Sequence, residues 1–107
     1  MNEIEFLNID CEIVMQKYPA NGQLAIGLIA RDTEHNTVER NMHPGEPVTE
    51  ATSCLVNASF EEDETAIKNY SENQGVLDVL LDAGIVELTG KTIENGYASF
   101  PVVRVLQ

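Results

Sequence analysis

The sequence contains no tryptophan, and aromatic residues make up only 6% of it. Basic residues are nearly as scarce: six Lys and Arg stand against eighteen Asp and Glu, a formal net charge of −12. Such a chain is repelled by phosphate and by anionic lipid, so direct binding to nucleic acid or to a membrane surface is not expected. It is attracted instead to basic protein surfaces, including those that normally hold nucleic acid. Acidity also serves solubility alone, and net charge by itself does not separate the two uses.

Cysteine is limited to Cys11 and Cys54, far apart and each among strand-like residues. Two such residues make no disulfide framework and read as buried thiols in a reducing compartment. No apolar run approaches the roughly 20 residues of a spanning helix. The start, Met1-Asn2-Glu3-Ile4-Glu5, lacks the basic and apolar regions of a secretory signal, which predicts a cytoplasmic location.

The motifs of catalysis are missing as well. His35 and His43 lie in a polar stretch with no C-x-x-C or H-E-x-x-H spacing, so no metal is expected. The chain carries no G-x-S-x-G, P-loop, G-x-G-x-x-G or calcium-loop pattern. Carboxylates are abundant, but an acid–base pair needs one carboxyl in an apolar pocket that raises its pKa. The expectation is a protein without catalytic residues, metal or cofactor.

At 107 residues with 43% hydrophobic content, the chain is sized for one core and one domain, residues 1–107. Tyr18-Pro19-Ala20-Asn21-Gly22 predicts a hairpin turn, because Pro restricts φ and Asn-Gly tolerates positive φ. Before it, Ile9, Cys11, Ile13 and Met15 alternate with Asp10, Glu12 and Gln16 as in a half-buried strand. After it, Leu24 to Ala30 is almost wholly apolar, as in a strand covered on both faces.

The stretch from Asp32 to Pro47 is long for a loop and leaves room for an edge strand over Asn36 to Met42. Ala51 to Asn57 reads as another strand, Glu61 to Glu64 as a solvated acidic turn, and Ala66 to Tyr70 as a short strand. Ser71 and Gln74 form a capping-box pattern before Val76, Leu77, Leu80 and Leu81, with Gly84 as the stop. Asp78 and Asp82 fall on the opposite face of that helix. Asn95-Gly96 marks a second hairpin, whose last strand contains Pro101 and is therefore expected at an edge or with a bulge. The predicted fold is α+β, a mostly antiparallel sheet of five to six strands with one helix packed on it.

The run YPANGQLAIGLIARD (Tyr18 to Asp32), then Gly45-Glu46-Pro47, Val56-Asn57, Thr89-Gly90-Lys91-Thr92 and Gly96-Tyr97, resembles an uncharacterised domain family. That family is carried on conjugative and other mobile elements of Gram-positive bacteria. Its members usually have Cys-Pro-Trp where this chain has Ser71-Glu72-Asn73, and residues 32–44 look like an insertion. The resemblance implies a setting, an accessory gene on mobile DNA, rather than a reaction.

Charge and setting together point to a non-enzymatic binding protein whose partner is a basic protein surface, such as the groove of a nucleic-acid-binding enzyme. An anti-CRISPR or anti-restriction inhibitor acting by charge mimicry fits, because effector channels are positively charged. The residues expected to supply the charge are Glu34, Glu39, Glu46 and Glu50, the run Glu61, Glu62, Asp63 and Glu64, and the helix pair Asp78 and Asp82. The alternative is an accessory or regulatory protein of the element that docks through a sheet edge, its acidity serving solubility.

Overall fold

The structure is a computed structural model that describes residues 3–55 and 58–106. Among the described residues, seven strands form two antiparallel sheets, of order β1-β2-β3-β4 and β5-β7-β6. The strands are β1 (Glu3–Phe6), β2 (Ile9–Lys17), β3 (Leu24–Ala30), β4 (Pro47–Glu50), β5 (Glu64–Ala66), β6 (Val86–Asn95) and β7 (Ala98–Val105). One α-helix, α1 (Val76–Asp82), accompanies them. The class is α+β as expected, but the single sheet of five to six strands is replaced by two smaller ones. The break falls after β4. The chain there keeps only an isolated bridge, Thr52 to Ile67, with Ser53 N–H on the Ala66 carbonyl and Lys68 N–H on that of Ala51.

The two hairpins form where the Asn-Gly pairs place them. β2 and β3 pair from Lys17↔Leu24 to Cys11↔Ala30, and β6 and β7 close at Asn95↔Ala98 with Gly96 at φ 66°. A third hairpin, β1–β2, turns on Leu7 and Asn8, at φ 57° and 62°. It contains no glycine, and so gave no turn signal.

Several local expectations are corrected. Residues 36–42 form no edge strand, because His35–Glu39 winds into a π-helix anchored by buried Asn36. The strand placed at Ala51 to Asn57 lies earlier, as β4, whose leading Pro47 suits an edge; Val56 and Asn57 fall outside the described residues. The strand sought at Ala66 to Tyr70 also lies earlier, as β5, because Glu64 turns inward. Ser71 makes no capping box. It adopts φ 58° in a 3₁₀ turn, Ser71–Asn73, and α1 starts only after Gly75 at φ 92°. Pro101 sits in the central strand β7, not at an edge. Its carbonyl accepts the Ile67 N–H, so its donor-less nitrogen faces the side of β5, which ends at Ala66; the bulge lies in β6, where the register jumps between Leu88 and Thr92.

The main core gathers residues from both sheets and α1, with Ile26, Leu28, Ile67, Val76, Leu80, Ile85 and Val103 at or near zero exposure. Truncating one of these, Leu80→Ala for instance, is expected to cost about 2–5 kcal/mol. A smaller cluster of Leu55, Ala66 and Phe100 fills the far face of the second sheet. α1 touches β1 and β6, the outermost strands of the two sheets, and so occupies the gap between their edges. No helix among the described residues is long and apolar enough to cross a membrane.

Candidate protein-interaction surface

The site is built from the alternation of β1 and β2. In an antiparallel pair, directly opposed residues project to the same face. Ile4↔Cys11 and Phe6↔Ile9 turn inward, so Glu3↔Glu12 and Glu5↔Asp10 turn outward together. Four carboxylates therefore share one outer face of a two-strand ribbon. Like charges placed opposite each other destabilise a sheet, so this arrangement costs folding free energy. One cation offsets it, with Arg31 Nη2 reaching Glu3 Oε2 at 3.2 Å.

The π-helix extends this face. Asn36, fully buried, donates from Nδ2 to the carbonyls of Asp10 (2.7 Å) and Arg31 (3.0 Å), and its Oδ1 accepts the Asp10 N–H (2.8 Å). The Thr33 hydroxyl donates to Asp10 Oδ2 at 2.9 Å and accepts the Asn36 N–H. The segment carrying Asp32, Glu34 and Glu39 is thereby pinned to the start of β2.

His35 makes the second attachment. Its Nε2 lies 2.9 Å from the Asn8 carbonyl and its Nδ1 2.8 Å from Glu39 Oε2. Both partners are acceptors, so both contacts are satisfied only when both ring nitrogens carry protons. The Asn8 carbonyl foremost, then the Glu39 carboxylate, raise the His35 pKa above its ordinary value.

The sequence-derived residues occupy several elements. Glu34 and Glu39 bracket the π-helix beside the β1–β2 face. Glu46, half-buried, accepts the His43 N–H before β4, and Glu50 ends β4 opposite Gly27. Asp78 and Asp82 are exposed on α1. Glu61 and Glu62 line an open groove of about 290 Å³ with Lys17, Gln23, Leu24 and Phe60. Asp63 is held by Arg104 Nε at 3.3 Å. Glu64 departs from the expected solvated run: its side chain is 3% exposed and bonded to Lys91. Lys91 first, then the Glu61 N–H, hold its carboxyl below the usual range.

The sequence pattern alone does not single out Glu3 and Glu5, and it marks Asp10 and Glu12 only as the polar positions of a strand. The pattern Glu-Ile-Glu-Phe followed by Asp-Cys-Glu carries the signal, but it becomes a face only once the register of β1 on β2 is known. Among the described residues, no group of three or more His, Cys, Asp or Glu is placed to hold a metal ion. No family model, no curated protein and no solved structure matches the chain.

Proposed function

We propose that this protein is a non-enzymatic, cytoplasmic binding protein that docks on a positively charged protein surface. The occupied surface is the nucleic-acid groove of a defence enzyme, an RNA-guided nuclease or a restriction enzyme, and the mechanism is occlusion without bond making or breaking. The observation that carries this reading is the opposition of Glu3 to Glu12 and of Glu5 to Asp10 on one outer face, where Glu3, Glu5 and Glu12 are exposed and Asp10 is half-buried. Residues two apart on a strand lie about 7 Å apart, and neighbouring strands about 4.8 Å. A nucleic-acid strand carries one charge per roughly 3.4 Å of helix axis, so the ribbon presents carboxylates on the length scale of phosphates. The family resemblance supports the mobile-element setting.

The charge also sets the kinetics. A net of −12 steers the protein toward a basic groove, with an association rate that falls as salt screens the attraction. The test is binding to a purified, guide-loaded Cas9-type nuclease and to purified restriction enzymes, at low and high salt, competed with duplex DNA. Salt-sensitive binding that DNA competes away is expected, and it should weaken in the double variant Glu5→Lys, Glu12→Lys through a slower association rate. Binding indifferent to both salt and DNA would sink charge mimicry and favour docking through apolar surface.

A further inference from the structure

Two Asn-Gly pairs occur in the chain, Asn21-Gly22 and Asn95-Gly96, and both are exposed at hairpin ends. An asparagine followed by glycine carries a latent reaction. The glycine amide has no Cβ beside it, so its nitrogen reaches the asparagine side chain without obstruction. The fold treats the two pairs differently.

At the first pair both reacting groups are engaged. Gly22 N–H donates to the Tyr18 carbonyl at 2.8 Å, and Asn21 Oδ1 accepts the Gln23 N–H at 3.1 Å. The nitrogen that would attack and the carboxamide it would attack are each held within the loop. The second pair sits at the tip of the β6–β7 hairpin, where Asn95↔Ala98 is the closing rung and Gly96 turns at φ 66°. Glycine at the first central position of such a two-residue turn points its N–H away from the ladder. Among the described residues, neither the Gly96 N–H nor the Asn95 side chain has a hydrogen-bond partner, and both residues face solvent. A closing rung is also the part of a hairpin that frays first, and fraying lets Asn95 rotate toward ring closure.

We propose that Asn95 is a site of spontaneous covalent modification, turning into aspartate and isoaspartate while Asn21 is protected. The Gly96 nitrogen forms a bond to Asn95 Cγ, its proton leaves with Nδ2 as ammonia, and a succinimide ring results. Water then adds to one of the two imide carbonyls, whose bond to nitrogen breaks. Opening at the side-chain carbonyl gives aspartate. Opening at the main-chain carbonyl gives isoaspartate, with the chain now running through Cγ. Nothing is oxidised or reduced, and water is the one co-reactant. Either product adds a negative charge to the formal −12. Isoaspartate also lengthens the backbone by a methylene at the closing rung, opposite Ala98, which packs on the cluster of Leu55, Ala66 and Phe100. This chemistry is independent of what the protein binds.

The test incubates the full chain at pH 8, folded and in urea, until the unfolded sample has converted. Trypsin separates the two pairs, on peptides 18–31 and 92–104. The mass gain of amide-to-acid conversion is read on each peptide, and methyl transfer by a protein isoaspartyl methyltransferase marks isoaspartate. In the folded chain Asn95 should convert roughly tenfold or more faster than Asn21, which must first break two hydrogen bonds. In urea the two should convert at comparable rates, because the fold and not the local sequence makes the difference. Asn95→Gln should leave peptide 92–104 unconverted, since the longer side chain closes its ring far more slowly, and should not alter the rate at Asn21. Equal rates in the folded chain, faster loss at Asn21, or an Asn95 that stays intact while the unfolded chain converts would each overturn the proposal. A rate difference that persists in urea would do the same.

Discussion

Glu64 and Lys91 form an ion pair across the central strand of the second sheet, with Nζ 2.8 Å from Oε2 and the carboxylate almost wholly enclosed. The other oxygen, Oε1, accepts the backbone N–H of Glu61 at 3.0 Å and lies 2.9 Å from the same ammonium. One carboxylate thus ties β5 to the β6 bulge and also closes the 61–64 turn. A residue placed by sequence in a solvated acidic run is a structural one.

That pair makes a pH prediction. The folded-state pKa of Glu64 lies below its ordinary 4.5, with Lys91 as the first cause. The ionised form therefore contributes stability above about 4.5, and the contribution is lost as pH falls through the lowered folded value. Glu72, brought to about 2 by Lys68, acts in the same direction. Thermal unfolding from pH 7 down to pH 2 should show a falling Tm. Glu64→Gln should be less stable at pH 7 and should lose less than the parent on acidification.

His35 acts in the opposite sense. Its pKa is raised by the Asn8 carbonyl and the Glu39 carboxylate, so the protonated clamp is fully present below about 6.5 and is lost as pH rises through the higher folded value. The ring is solvent-accessible, so the global effect is small and the local one measurable. Hydrogen exchange at residues 7–10 and 33–39 should quicken beyond the intrinsic pH trend as pH rises from 6 to 8. In His35→Gln that extra rise should vanish; its persistence would place the cause elsewhere.

Asn36 is the structural centre of the acidic end. Asn36→Ala leaves the Asp10 N–H without its partner, while the carbonyls of Asp10 and Arg31 each lose one donor and keep another, the N–H of Arg31 and of Thr33. A buried donor stripped of its hydrogen bond costs on the order of 2 kcal/mol. Denaturant unfolding should show that loss, whereas Asn36→Asp, which keeps only the acceptor and adds charge, should be no better.

Leu7→Gly is expected to raise stability by about 1 kcal/mol, since it removes a left-handed penalty without emptying the core. A loss of that size in chemical denaturation would show that Leu7 packs in a way its exposure does not suggest.

Cys11 should be chemically silent in the native protein. Burial, above all, pushes its thiol up to about 11, and Sγ donates to the Ile9 carbonyl at 3.3 Å. Alkylation at pH 8 should modify it only after denaturation, and mass spectrometry of labelled peptides checks this.

Local rules determined a good deal of this protein from sequence alone. The two Asn-Gly hairpins, the apolar β3, the amphipathic stretch around Val76 to Leu81 and the sign of the surface charge all follow from nearest-neighbour chemistry: turn dihedrals, side-chain periodicity and formal charge. What the tertiary structure decided depends on partners distant in sequence. The expected sheet divides in two after β4, where pairing shrinks to the isolated bridge from Thr52 to Ile67. Gly75, rather than Ser71, sets the start of the helix, because both residues adopt positive φ and regular α winding begins only after the second. Glu64 is drawn inward by a lysine in a strand two elements away. The acidic face exists because β1 pairs with β2 in the register that aligns Glu3 with Glu12. A one-residue slip would send those side chains into the core, so the face is a property of the pairing and of the core that fixes it, not of the charges themselves.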